Sequence, residues 1–68
     1  MPKISLKAAR VNSGLSQKEA ANLLGVSNKT LHQWENGVSF PSVKHINLLC
    51  ELYKVKYDDL NFLQNDSL

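Results

Sequence analysis

Between Ser16 and Gly37 the chain reads SQKEAANLLGVSNKTLHQWENG, and its apolar positions recur at helical spacing on either side of one glycine. At about 100° per residue, Ala20, Ala21, Leu23 and Leu24 fall on one face of a helix predicted over Gln17–Leu24. Ser16 is its cap, and Glu19 three residues on completes a capping-box pattern. Gly25 follows at once and suits a left-handed turn that a side chain would strain. Val26 plugs the turn. Ser27 then caps a second helix, Asn28–Asn36, which Gly37 stops. Two helices that cross steeply approach closely only through small residues, and Ala21 stands where such a crossing needs one. The spacing is that of a helix-turn-helix.

The second helix divides into two faces. Leu31, Trp34 and Glu35 occupy one arc; Asn28, Lys29, His32, Gln33 and Asn36 cover the other, an arc of roughly 140°. Amides and cations are the groups that pair with base edges in the DNA major groove. Asn28, Lys29 and Gln33 are therefore the candidate base readers, with His32 between them in reach of a base or a phosphate. Thr30 lies off the arc, nearer a backbone-contacting role. Trp34 points away from the polar arc and is read as packing. A polar outer face is also what any surface helix shows, so the inference leans on the frame around it.

On either side the pattern continues. Ser5–Asn12 reads as a first helix, with Leu6, Ala9 and Ser13 on one side and Arg10 flanking them. Ile4, Ala8 and Val11 form a second apolar strip, either half covered by another helix or open to a partner. Pro41 forces Phe40 extended and starts the next helix cleanly. Ser42 caps that helix, Val43–Tyr53. Val43, Ile46, Leu49, Cys50 and Tyr53 line up toward a core, and Leu48 and Leu52 stand nearly opposite as a patch that needs cover. A last helix is predicted from Tyr57 to about Leu63, with Asp58 as cap or first-turn acid and Leu60 in the core. Residues 1–3 and 64–68 are expected to be disordered.

Gly14-Leu15-Ser16-Gln17, Leu24-Gly25-Val26-Ser27, and Trp34-Glu35-Asn36-Gly37 with Pro41-Ser42 together resemble the DNA-binding domain of lambdoid-phage repressor and Cro proteins, the Xre-type helix-turn-helix family. The resemblance runs from about Leu6 to Leu60. It implies an all-α fold, a compact bundle of five short helices. It implies that Gln17 clamps a DNA phosphate, that its side chain can brace a residue of the recognition helix, and that Asn36 bonds a phosphate. It also matches Arg10 and Glu35 to an arginine and a glutamate that pair in the family. A carboxylate on the core-ward side of the recognition helix needs such a partner, because an unpaired buried charge is costly. Lys18, Ser27, Thr30 and Lys44, with the loop backbone amides near Ser39, complete the phosphate-contact candidates. Two departures stand out: Lys54 replaces the glycine usual after the fourth helix, and Lys56 replaces the usual serine or threonine cap.

Length and charge refine this picture. Sixty-eight residues suit one domain near the lower size limit for a self-sufficient core. Net charge is only +2, but it is uneven. Residues 1–45 carry Lys3, Lys7, Arg10, Lys18, Lys29 and Lys44 against Glu19 and Glu35, and residues 46–68 carry Lys54 and Lys56 against Glu51, Asp58, Asp59 and Asp66. A basic part that holds the helix-turn-helix and an acidic remainder is the polarity expected of a DNA binder. One cysteine excludes an internal disulfide and fits a reducing cytoplasm. No apolar run approaches a membrane span, and the N-terminus lacks a signal peptide's apolar segment. His45 and Cys50 lie on different helix faces, too poorly grouped for zinc. No nucleophile–base grouping and no glycine-rich phosphate loop is present, so neither an enzyme nor a cofactor or small-molecule binder is expected.

The sequence thus predicts a sequence-specific transcriptional regulator of the phage-repressor or Cro type, without the additional C-terminal domain of longer repressors. It is expected to bind a palindromic operator in double-stranded DNA as a homodimer, with Leu48, Leu52, Phe62 and Leu63 as candidate dimer contacts. The rivals are the antitoxin of a toxin–antitoxin pair and a protein-interaction module of the same fold.

Overall fold

A computed structural model describes residues 3–62. Four α-helices carry most of the chain: α1 Leu6–Asn12, α2 Gln17–Leu24, α3 Asn28–Glu35 and α4 Val43–Tyr53. A single 3₁₀ turn, Tyr57–Asp59, follows. Two-residue strands close the ends: β1 Ile4–Ser5 pairs in parallel with β2 Leu60–Asn61, Ile4 opposite Leu60 and Ser5 opposite Asn61.

Local chemistry starts each helix. The hydroxyls of Ser5, Ser16, Ser27 and Ser42 accept from the backbone amides of Ala8, Glu19, Thr30 and His45 respectively, each three residues on. Around α2 the box is reciprocal, because the Glu19 carboxylate accepts from Ser16 N at 2.9 Å. Those bonds to Ser16 hold the Glu19 carboxyl below its ordinary pKa. Gly25 ends α2 at φ 75°, ψ 28°, the left-handed geometry that opens the tight turn into α3.

The core gathers Leu6 and Ala9 of α1, Ala20, Ala21 and Leu24 of α2, Leu31 and Trp34 of α3, Leu49 and Tyr53 of α4, and Leu60. Ala20 and Ala21 let α2 and α3 come close. Trp34 is buried and its ring centroid lies 5.3 Å from that of His45, which ties the inner side of α3 to the first turn of α4.

The structure departs from the sequence reading at several places. The first helix begins at Leu6, with Ser5 as its cap, and α3 ends at Glu35, with Asn36 as its cap. The predicted fifth helix is one 3₁₀ turn followed by β2. Leu60 enters the core from an extended backbone, and its pairing with Ile4 uses backbone groups that a helix would have kept to itself. This pairing also half covers Ile4 of the unassigned strip, whereas Val11 stays exposed. Leu23 and Val43, read as core-facing, are exposed at 62% and 75%. Leu23 sits at the margin of the buried stripe of α2. Val43 is the first residue of α4 and lies past the edge of the core, where Pro41 is buried in its stead. Leu48 and Leu52 are half-buried against the core and, with Leu23, Leu24 and Glu51, line a shallow groove between α2 and α4. Phe62 is half-buried and packs on Tyr57, ring centroids 5.8 Å apart. Leu63, and the termini expected to be disordered apart from Lys3, lie outside the described residues.

Candidate nucleic-acid interface

The faces of α3 part as its sequence periodicity demands. Leu31, Trp34 and Glu35 are buried; Asn28, Lys29 and His32 are exposed; Thr30 and Gln33 are half-exposed. Nothing apolar interrupts the outer arc. The capping and anchoring described above present that arc to solvent on a rigid rod.

Glu35 is the hub beneath it. Arg10 Nε of α1 donates to Glu35 Oε2 at 2.7 Å, and Nη2 approaches Oε1 at 3.4 Å. Both residues are buried, so the pair is screened little by water. The remaining Arg10 nitrogen, Nη1, donates to the Leu15 carbonyl at 2.9 Å, fixing the loop that leads into α2. Gln17 Nε2 of α2 also donates to Glu35 Oε1, at 3.1 Å. Gln17 Oε1 in turn accepts from Asn28 Nδ2 at 3.1 Å. One continuous chain of polar contacts thus runs from α1 through the end of α3 and the start of α2 to the first residue of α3. It holds Asn28 in a set orientation.

At the other end of the arc, Asn36 Nδ2 donates to the His32 carbonyl at 2.8 Å and lies 3.3 Å from His32 Nε2 and 3.4 Å from Nδ1. The Val38 and Ser39 amides turn back onto the Gln33 carbonyl at 2.9 and 3.4 Å. The backbone amide at Ser39, a candidate phosphate donor on sequence grounds, is therefore engaged within the loop, and the hydroxyl is the group that remains. Ser27 likewise spends its hydroxyl on Thr30, accepting from N at 3.0 Å and donating to Oγ1 at 2.9 Å. Lys18 and Lys44 are exposed.

Lys7 was not among the candidates read from the sequence. It lines a notch of about 360 Å³ with Arg10, Ser16, Gln17, His32, Glu35 and Asn36. The signal that could have found it is its spacing: Lys7 and Arg10 are three apart on α1 and share a face. Among the described residues no cluster of histidine, cysteine or carboxylate side chains could hold a metal ion, and no helix is long and apolar enough to cross a membrane. Cys50 is half-buried, and its desolvation pushes the thiol pKa up.

A short helix with an amide-rich outer face, locked from behind by two others, is the architecture of a DNA-reading helix-turn-helix. Residues 6–60 match the family described as helix-turn-helix, and the chain belongs to that family, as an Xre-type DNA-binding regulator. It is similar to the Antitoxin PezA of Streptococcus pneumoniae serotype 4 (strain ATCC BAA-334 / TIGR4), 34% identical over 56 residues that make up 82% of this chain. The chain spans only 35% of that relative's length. None of the solved structures matches it.

Proposed function

We propose that this regulator acts by occupying an operator, with α3 laid in the major groove. The division of α3 into a buried apolar face and an exposed amide and cation face supports this above all. Asn28 and Gln33 are suited to bridge adenine N6 and N7, and Lys29 to reach guanine O6 and N7. Gln17, Lys18, Thr30, Asn36, Lys44 and the Ser39 hydroxyl contact the phosphates on either side, and Ser27, whose hydroxyl is held by Thr30, does so through its backbone N–H. Two protomers read a palindromic site, one recognition helix per half-site, with the halves about 34 Å apart. One helix-turn-helix offers few phosphate contacts, and two-fold binding multiplies them. The half-buried Leu48, Leu52 and Phe62, together with Leu63, supply the dimer face. The protein works in the cytoplasm, where its DNA lies.

Selection of duplexes from a random pool tests the reading. An enriched palindrome is expected, with Lys29→Ala and Gln33→Ala each weakening binding by about ten-fold or more and relaxing preference at one base position. Unchanged affinity in both variants would make a protein-interaction module the better account. Sedimentation showing monomer alone, free and on DNA, would remove the dimer.

A second reading is favoured by the likeness to a protein named as an antitoxin. Here the chain represses its own operon and belongs to a toxin–antitoxin pair. The neighbouring gene discriminates: a toxin gene beside it supports this reading, and phage lysogeny genes support the repressor.

A further inference from the structure

Projected down α3 at about 100° per residue, His32 falls between Asn28 on one side and Lys29 and Gln33 on the other. It is exposed and lies inside the outer arc, not at its margin. The Asn36 amide decides what the ring offers there. Asn36 Nδ2 donates to the His32 carbonyl at 2.8 Å, which fixes the nitrogen end of that amide toward the helix. The same nitrogen lies 3.3 Å from His32 Nε2 and 3.4 Å from Nδ1. An amide nitrogen only donates, so a ring nitrogen beside it accepts. The imidazole that accepts is the neutral one, with one accepting nitrogen and one N–H. Among the described residues the ring has no other hydrogen-bond partner, and its N–H is left for a ligand.

We propose that His32 is a fourth base reader beside Asn28, Lys29 and Gln33: its uncharged ring donates one hydrogen bond to N7 of a guanine. This inference rests on the DNA-binding reading above and assigns a specificity-determining residue to the same surface. A phosphate is bound best by a charged donor, whereas a single N–H without charge matches a base edge. In the major groove the purines present N7 as an acceptor and the pyrimidines have no such atom. Guanine places a second acceptor, O6, beside N7; adenine places the N6 amino donor there, against the approaching ring N–H. The ring thus tells guanine from adenine by the neighbour of N7, and both from the pyrimidines by N7 itself.

The test repeats the random-pool selection with His32→Ala and measures affinities by fluorescence anisotropy on the duplex enriched by wild type. The variant, at an exposed helical position, is expected to lose the guanine preference at one position per half-site and to keep those governed by Lys29 and Gln33. On the enriched duplex it is expected to bind about five-fold weaker, the worth of one hydrogen bond. Its salt dependence is expected to equal that of wild type, since no charge leaves the interface. 7-Deazaguanine at the same position removes N7 from the base: wild type is expected to lose about five-fold and His32→Ala nothing. The wild-type loss does not depend on how the variant folds. Base preferences of His32→Ala that match wild type at every position overturn the proposal, as does a wild-type chain indifferent to 7-deazaguanine at each guanine of its site. A salt slope lower by about one in His32→Ala also overturns it, because the ring would then bring a charge to a phosphate. Failure of the pool to yield any bound duplex overturns the DNA-binding reading together with this one; unchanged preferences on a duplex that is bound overturn this one alone.

Discussion

Gln17 and Asn28, eleven residues apart, are joined side chain to side chain at 3.1 Å, and the other end of the same glutamine amide is fixed to Glu35, also at 3.1 Å. Under the proposed base-reading role of Asn28, a side chain that orients its amide contributes to affinity without touching a base. Gln17→Ala and Asn28→Ala are each expected to weaken DNA binding by about ten-fold. The double variant should lose clearly less than the product of the two. Anisotropy titrations of the four proteins decide this, and strictly multiplicative losses would show that Gln17 does not position Asn28.

The Arg10–Glu35 pair governs stability in the same way. Breaking a buried pair from one side leaves a charge without compensation, at a cost of about 3–5 kcal/mol. Arg10→Met and Glu35→Leu should each fall in that range, since each also removes a further bond, to the Leu15 carbonyl or from Gln17. In the double variant the two apolar side chains meet and much of the loss returns. Urea denaturation of all four proteins is the measurement; additive losses would rule out the coupling.

Tyr53 lies beneath this pair. It is buried, and among the described residues its hydroxyl has no hydrogen-bond partner. Desolvation, with the nearby Glu35 charge adding to it and Arg10 opposing it, raises its pKa from 10.0 to about 12. Tyr53→Phe removes an unsatisfied polar atom and is expected to leave stability at pH 7 unchanged, or to raise it by up to about 1 kcal/mol. Between pH 10 and 12 the unfolded tyrosine gives up its proton while the folded one keeps it, so wild type loses stability through that window and the variant lacks this loss. Denaturation midpoints compared at pH 7 and pH 11 should therefore show the variant's advantage growing with pH. An advantage that shrinks would contradict the burial of the hydroxyl.

Lys54 ends α4 at φ 56°, ψ 47°, and among the described residues it is the only non-glycine with positive φ. The left-handed conformation strains a residue that carries a Cβ, and glycine relieves that strain while adding some freedom to the unfolded chain. Lys54→Gly should stabilise by about 0.5–1 kcal/mol, and Lys54→Ala, which keeps the Cβ, should not. A thermal melt of each variant checks this; a lower Tm for the glycine variant would refute it.

The sequence by itself determined where α2, α3 and α4 begin, the turn at Gly25, and the split of α3 into inner and outer faces. These features arise from hydrogen bonds between residues three or four apart, or from helical periodicity, and the chain carries that information locally. Val43 and Leu23 show its limit: periodicity names a stripe but not the edge at which the neighbouring helices stop covering it. The end of the chain shows another. Tyr57 to Leu60 reads as helix on its own, but Leu60 pairs with Ile4 across fifty-six positions, and only the packed fold brings those backbones together. The candidate interface divides in the same way. Asn28, Lys29 and Gln33 were visible on a projected helix, whereas the brace of Asn28 by Gln17 and the joining of Lys7 to His32 and Asn36 in one notch were set by how three helices meet. Contacts between distant residues depend on the relative placement of whole elements, which burial of the shared core decides.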